Sequence, residues 1–448
     1  MRFPVLNLLP DRGLFKYLLI FLGLGLGLAL LRVLSTVAPS WLAYLWWGLF
    51  VLAAVAAALD ALALYTGRMP DAGRQLPGNL ALGSPATIRL RFENPGRRDL
   101  RLEYTDRYPD ALSCEQLPAQ LDLPADTSLI VEYQVRPVQR GDAHFGAIEL
   151  RVQSPLGLWR RQLHIEAEQS VKVYPNFMAL SGMDFLDDEQ RVAHLGAHLT
   201  QRRGSGLEFR QLREYQRGDE IRQIDWKATA RQQKLISREY QDERDQEVLF
   251  MLDTGRRMRA LDGELSHFDH SLNALLLTAY MALGMGDSVG VLGFAGSNRW
   301  VSPVKGRQGI NRLLNQLYDI QSSTEASDLS QAAEALMLKQ QKRALVVIVS
   351  NMRDDDSEEL QLAARILGRK HLVMVACLRE SFLDRELEEE PGYQAALDHC
   401  ARELYREQRA DLIAQLKARG VMVVDSPPQQ MHVALIQEYL ALKRAGRI

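Results

Sequence analysis

Residues Val248 to Met258 read VLFMLDTGRRM. Five consecutive apolar residues ending in Asp253 have the length and uniformity of a strand buried on both faces. Similar runs recur downstream: SVGVLGF at 288–294, ALVVIVS at 344–350, LVMVAC at 372–377 and VMVV at 421–424. Helical patterns separate them, over Phe268–Met285, Leu329–Met337, Glu358–Leu367 and Gln394–Arg419. This alternation predicts an α/β doubly wound domain over residues 248–448, with a mostly parallel sheet covered on both faces. Ligand groups collect at the carboxyl ends of such strands. Here those ends carry Asp253, Phe294 to Ser297, and Ser350 with Asn351.

Immediately upstream lies REYQRGDEIRQIDWKATAR, Arg213 to Arg231. Five of its nineteen residues are basic and four acidic, around the single Trp226. Nucleic-acid binding would need a basic excess with stacking aromatics, and the interleaved acids argue against it. Asp219 has the position of an N-cap for a helix running through Ile221, Ile224 and Ala228. On that helix Arg222 and Asp225 would pair at three residues' spacing, and Lys227 and Arg231 lie four apart. With Glu208, Phe209 and Tyr215 nearby, two readings stay open. One is a structural network tying two domains together. The other is a partner-docking face with tryptophan and arginine anchors.

Further upstream the pattern changes. TIRLRF, LRLEY, SLIVEYQV, AIELRV and VKVYP alternate apolar and polar residues, and turn stretches such as NPGRRD and LPADTS separate some of them. A β-sandwich is expected over 75–175, with a connector carrying the charged segment over 176–247. RMPDAGRQLPGN, Arg68 to Asn79, reads as a polar linker.

The first 67 residues predict two transmembrane helices after a short tail. Leu14–Leu34 is apolar apart from Lys16 and Arg32 near its ends, and Val33–Leu59 carries no charge. Each is long enough to span a bilayer, which takes about 20 residues. Arg2, Arg12 and Lys16 precede the pair, and Arg68 and Arg74 follow it, so the positive-inside rule places both termini and the soluble domains in the cytoplasm. Gly23 and Gly27 suggest a small-residue packing face. Trp41, Trp46 and Trp47 suggest interfacial anchors, and Asp60 is expected at the membrane interface.

Bulk numbers agree with a multidomain protein: 448 residues, 25% charged, net charge −2. That balance gives no overall field toward nucleic acid. The three separated cysteines, Cys114, Cys377 and Cys400, fit a reducing compartment.

The segment GLEFRQLREYQRGDEIRQIDWKATARQQKLISREYQDERDQEVLFMLDTGRRM resembles the signature of the domain-of-unknown-function fifty-eight family. RPVQRGDAHFG, SPLGLWRR and VYPNF extend the likeness upstream. The layout is similar too: two spans, a sandwich, the charged signature and a von Willebrand factor A-like domain. The resemblance implies a bacterial cytoplasmic-membrane protein, often the partner of a MoxR-type AAA+ ATPase, with no defined chemistry.

The von Willebrand A-like fold often carries a Mg²⁺ adhesion site, built from Asp-x-Ser-x-Ser, a later Thr and a further Asp. Such a site needs hard oxygens in near-octahedral geometry. This sequence has Asp253 in the first position, Gly255 and Arg257 at the two serine positions, Thr324, Ser327 and Asp328 in the later loop, and Asn351 where the second acid is expected. The set is degenerate, and Arg256 or Arg257 could stand in for the cation by pairing with Asp253. His194 and His198 lack the glutamate of a metalloprotease helix. His267 and His270 suit solvated or capping roles. The acids of RDDDSEE, Arg353 to Glu359, suit a first helical turn better than a two-metal centre.

These features predict a membrane-anchored interaction scaffold that is not an enzyme and needs no cofactor. Its contact surface would include the strand ends near Asp253 and Ser350. The alternatives are Mg²⁺-dependent protein binding and, less favoured by the residues, a divalent-metal hydrolase.

Overall fold

The computed structural model describes residues 7–34, 41–177, 208–216, 224–241, 246–352, 357–384 and 393–448. It forms two compact units, Met1–Tyr174 and Pro175–Ile448.

In the first unit, α1 (Arg12–Leu34) and α2 (Trp41–Thr66) are long and apolar enough to cross a membrane. At 1.5 Å per residue they extend roughly 34 and 39 Å, against a hydrocarbon core of about 30 Å. Trp46 lies between them: its ring stacks on Phe50 with centroids 5.6 Å apart, and its Nε1 donates to the Phe21 carbonyl at 3.3 Å. The close approach is at Gly25, where an added Cβ would sit 3.0 Å from the Trp46 ring. Gly23 and Gly27, expected to make that face, have nothing within 4 Å of such a Cβ. On a helix they lie about 200° from Gly25, counting 100° per residue.

Twelve strands belong to this unit: β1 (Leu8–Pro10), β2 (Asp71–Gln75), β3 (Leu80–Ala81), β4 (Ala86–Asn94), β5 (Leu100–Asp106), β6 (Leu112–Ser113), β7 (Ala119–Leu123), β8 (Thr127–Pro137), β9 (Gly141–Phe145), β10 (Ile148–Gln153), β11 (Trp159–Ile165) and β12 (Gln169–Tyr174). Sheets β1-β11-β10-β5-β7 and β2-β4-β8-β6 face each other, with Phe92 and Tyr104 in ring contact at 5.0 Å between them; β3-β12-β9 forms a third. The alternation in TIRLRF is followed closely, with Ile88, Leu90 and Phe92 fully buried. The expected linker Arg68–Asn79 contains a strand, Asp71–Gln75. β2 pairs with β4, and Arg74 is buried, with Nε donating to Asp106 at 2.8 Å. Tyr133 donates to the same carboxylate at 2.5 Å. A polar sequence can enter a core when each charge finds a partner there.

Asp60, expected at the membrane interface, has partners within the protein. It is buried, accepting from Ser154 Oγ at 2.5 Å and the Leu156 amide at 2.9 Å. Trp159 Nε1 donates to the Ala57 carbonyl, and Arg161 reaches the last carbonyls of α2 at Leu64 and Tyr65. One turn of the sandwich therefore caps α2, whose terminal carbonyls would otherwise lack partners. At the start of α1, Gly13 meets the Gly157 carbonyl so closely that a Cβ would lie 2.4 Å from its oxygen.

The second unit contains the hairpin β13 (Glu208–Glu214) and β14 (Ile236–Gln241), followed by β15 (Glu247–Asp253), β16 (Leu261–Asp262), β17 (Leu265–Ser266), β18 (Ser288–Phe294), β19 (Trp300–Lys305), β20 (Leu345–Ser350), β21 (Leu372–Leu378) and β22 (Met422–Ser426). The main sheet has order β19-β18-β15-β20-β21-β22, parallel except for β19 at its edge. Along β15, Val248, Phe250 and Leu252 enter one core with the helices His267–Gly284, Gly309–Leu317 and Met431–Arg444. Leu249 and Met251 enter the other with Leu329–Lys339, Ser357–Gly368 and Tyr393–Ala418. Both faces are covered, which is why this strand could dispense with polar alternation.

Candidate functional site

β15 sits where the strand order reverses, with β18 on one side and β20 on the other. Loops diverge at such a point and leave a crevice at the carboxyl ends. Here the crevice is filled by the protein's own groups. Asp253 is fully buried; Oδ1 accepts from the Gly255 amide at 2.8 Å and Ser327 Oγ at 2.6 Å, and Oδ2 accepts from Ser350 Oγ at 2.6 Å. Thr254 Oγ1 lies within 2.7 Å of the Phe294 and Ala295 carbonyls and accepts from the Ser297 amide at 3.2 Å. This holds Ala295 at φ +66°, an uncommon conformation for a residue with a Cβ. Gly255 has no room for a side chain: a Cβ would stand 2.2 Å from Ser327 Oγ and 3.1 Å from the Glu325 carbonyl.

The adhesion-type ligand pattern is therefore not reproduced. Gly255 is part of a close backbone approach, Thr324 is exposed, and the hydroxyl that reaches Asp253 from that loop belongs to Ser327. Arg256 is exposed and Arg257 lies 3.5 Å from the Asn351 carbonyl; the cationic partner proposed for Asp253 is replaced by three neutral donors. The strand-end contact surface expected at Asp253 and Ser350 needs the same correction, since both are buried. Among the described residues, Arg256 and Thr324 of the covering loops are exposed there.

Asn351 turns to a second buried group. Its Nδ2 donates to Glu380 Oε1 at 2.8 Å and lies 3.2 Å from His267 Nδ1. Tyr405 donates to Glu380, and burial together with that carboxylate pushes its phenol up to about 12. Arg409 bridges Asp425 at 2.6 Å, the Leu378 carbonyl at 2.9 Å and Cys377 Sγ at 2.8 Å. Burial raises the Cys377 thiol to about 11, so it stays protonated at neutral pH despite the guanidinium. His267 and His270 are buried, against the solvated role expected for them, and the N-cap of their helix is Ser266 in a capping box with Asp269.

The charged segment is organised differently from the expected helix. Ile224 forms a β-bridge with Ser237, and the helix begins at Trp226, running to Gln232. Its N-cap is Asp225, whose Oδ1 accepts from the Lys227 and Ala228 amides, both at 3.0 Å. Asp225 Oδ2 pairs with Arg238 on β14 at 2.9 Å. Those amides and Arg238 hold its carboxyl below the usual carboxylate range. An aspartate six residues downstream of the Gly218–Asp219 pair looked internal to the helix, and only the β-bridge at Ile224 moves the boundary. Asp219 and Arg222 lie outside the described residues, as do His194, His198 and Arg353 to Asp356. Glu208 belongs to β13, Arg213 donates to the Glu214 carbonyl, and the Tyr215 amide donates to Leu235. Glu214 pairs with Lys234 at 2.9 Å. Lys227 and Arg231 are exposed on the short helix, and Trp226 is 65% exposed. Leu235, 48% exposed, was not singled out from the sequence; an apolar residue just before a strand of mixed polarity gives no signal of its own.

Residues 211–389 match the family model described as "Protein of unknown function DUF58". This agrees with the resemblance carried by the central signature. The chain is 26% identical over 126 residues to the "Uncharacterized protein YeaD" of Bacillus subtilis (strain 168). That match covers 28% of this chain and 31% of the relative, so the chain spans about a third of the relative's length. Among solved structures, an aerotolerance-related membrane protein from Bacteroides fragilis NCTC 9343 is similar to 44% of this chain and 99% of its own, at 15% identity and a TM-score of 0.29. A Salmonella alpha-2-macroglobulin is similar over 23% of this chain and 7% of its own, at 19% identity and a TM-score of 0.19. The segment that matches the family of unknown function contains Asp225, Trp226, Asp253 and Asn351, and so both the hairpin and the strand-end clasp.

Proposed function

We propose that this chain is a membrane-anchored protein-interaction scaffold. Its α1–α2 pair sits in the cytoplasmic membrane, its soluble units face the cytoplasm, and it works with a MoxR-type AAA+ ATPase. The basic residues flanking the helix pair support the orientation. The ATPase partnership and the von Willebrand factor A-like assignment rest on the resemblance of the signature; the sheet order with its single antiparallel edge strand is compatible with that assignment.

The observation that carries the reading is the hairpin. Trp226 is largely exposed on a helix fixed by the Asp225 cap, and exposed Leu235 lies beside it through the Asp225–Ile236 backbone bond. A rigidly held, exposed tryptophan with apolar and cationic neighbours has the composition of an interface anchor. The clasp at Asp253 supports a binding role over a reaction. Its carboxylate is committed to Gly255, Ser327 and Ser350, which weighs against Mg²⁺-dependent binding and against a divalent-metal hydrolase. ATP hydrolysis would then belong to the partner.

The test is co-purification of the full chain in detergent with a MoxR-type ATPase from the same genome. Trp226→Ala and Leu235→Ser should reduce recovery of the complex at least tenfold with the fold unchanged. Recovery equal to wild type in both variants would remove the hairpin from the interface. Absence of any complex with wild type would remove the partner.

A further inference from the structure

A cavity of about 1770 Å³ in the first unit opens where the ends of α1 and α2 meet the sandwich. Seven basic and three acidic side chains line it. The acids are all engaged: Asp11 pairs with Arg160 at 2.9 Å, Asp122 with Arg101 at 3.0 Å, and Asp99 accepts from the Ala125 amide. Arg12, Lys16, Arg97 and Arg98 are exposed, and among the described residues none of them has an ion-pair partner. Four exposed cations thus line one cavity, and among the described residues none of them pairs with a carboxylate.

Their placement is graded. Arg12, Lys16 and Ile20 follow at four-residue spacing on one face of α1, spaced about 6 Å apart along the axis. Leu59 and Leu62 of α2 complete the apolar end of the cavity. The polar layer of a bilayer leaflet is roughly 5–7 Å deep outside the hydrocarbon, so α1 read as a span would set Arg12 and Lys16 at headgroup level and Ile20 beside acyl chains. Arg97 and Arg98 are held on a fixed turn. Buried Asn94 donates Nδ2 to the carbonyls of Arg98 at 2.9 Å and Pro124 at 3.0 Å, and accepts from the Gly96 amide at 3.0 Å. Cations at one end and apolar side chains at the other match an amphiphile with an anionic head.

We propose that this cavity binds the headgroup of an anionic phospholipid from the surrounding leaflet, with Arg12, Lys16, Arg97 and Arg98 on its phosphate and an acyl chain along Ile20, Leu59 and Leu62. The proposal rests on reading α1 and α2 as membrane spans, and is independent of the ATPase partnership. Such a lipid would fix the sandwich against the membrane surface at a defined height.

The experiment is native mass spectrometry of the full chain in detergent, titrated with phosphatidylglycerol, with phosphatidylcholine of the same acyl chains, and with inorganic phosphate. Phosphatidylglycerol should be retained at about one molecule per chain, with at least tenfold preference over phosphatidylcholine. A basic side chain at an anionic surface contributes about fivefold in affinity, so Arg97→Gln/Arg98→Gln should weaken retention about 25-fold. Both residues are exposed, so circular dichroism of that variant should match wild type. Arg12→Gln/Lys16→Gln is the second variant, with the same expectation. Equal retention of the two lipids, no effect of either variant, or equivalent occupancy by inorganic phosphate would each overturn the lipid site. Carbonate extraction separates the underlying reading: release from membranes would defeat the spanning helices and the lipid site together. Retention in the membrane without lipid preference would defeat the lipid site alone.

Discussion

Asp253→Ala removes the one acceptor shared by Gly255, Ser327 and Ser350. Hydrogen bonds to a charged group contribute about 1.5–3 kcal/mol each, and a buried donor left unmade costs a similar amount. The two serine hydroxyls can rotate toward other acceptors, whereas the Gly255 amide cannot, so the three losses do not simply add. A net local destabilisation of about 3–5 kcal/mol follows, or roughly 10²- to 10³·⁵-fold in the opening equilibrium. Asp253→Asn keeps a carbonyl oxygen for Gly255 and Ser327, and its amide can donate to Ser350, so its cost should be about 1–2 kcal/mol. The assay is hydrogen exchange of the full chain in detergent, followed by mass spectrometry of peptides covering 253–258 and 323–329. Exchange there should accelerate by at least 100-fold in Asp253→Ala and by about tenfold in Asp253→Asn, with β8 unaffected. Acceleration below about threefold in Asp253→Ala would refute the clasp. Strong protection of the wild-type peptides by millimolar Mg²⁺, absent in Asp253→Asn, would refute it in another way, by making the carboxylate a metal ligand.

Three further outcomes follow from the geometry. Cys377, fully buried and kept protonated by burial with a pKa of about 11, should resist maleimide labelling at pH 8 in the folded chain, while exposed Cys400 labels readily; equal rates would contradict the buried thiol. Asp60→Ala strands the Leu156 amide and Ser154 hydroxyl and should destabilise the first unit by about 2–4 kcal/mol, with Asp60→Asn less damaging; an unchanged melting temperature in detergent would count against the cap. The depressed carboxyl of Asp225 stabilises its helix start while ionised, so that contribution is present above the unfolded value of about 3.9 and is lost as pH falls through the lower folded value. Amide protection at Lys227 and Ala228, corrected for intrinsic exchange, should be flat from pH 7 to 5 and fall below pH 4; a decline centred near pH 6 would assign the effect to another group.

The strands around VLFMLDTGRRM were legible because a strand buried on both faces must be apolar throughout, and no other local pattern produces short uniform runs between helical ones. The two long apolar helices were legible from composition too, since each contains an apolar run longer than the sheet's strands. What sequence reading missed were polar residues whose partners are remote in the chain. Arg74 made a strand look like a linker because Asp106 lies 32 positions away. The burial of Asp60 gave no local signal because Ser154 and Leu156 lie 94 and 96 positions away. Ser327, 74 residues from Asp253, was one of three candidates on its loop, and only the fold selected it over Thr324 and Asp328.

The charged segment divides in the same way. Its balance of charges, and hence the argument against nucleic acid, was set by the sequence alone. The boundary at Asp225 was decided by β14, because Ile224 pairs with Ser237 and a residue in a β-bridge cannot also lie within a helix. Local composition is enough to mark which segments are apolar, and so to place the two long N-terminal helices and the strands of the sheet. Only the tertiary structure decided which charges are satisfied internally and which, like those around the α1–α2 cavity, are left facing outward, because that depends on partners the chain brings together from a distance.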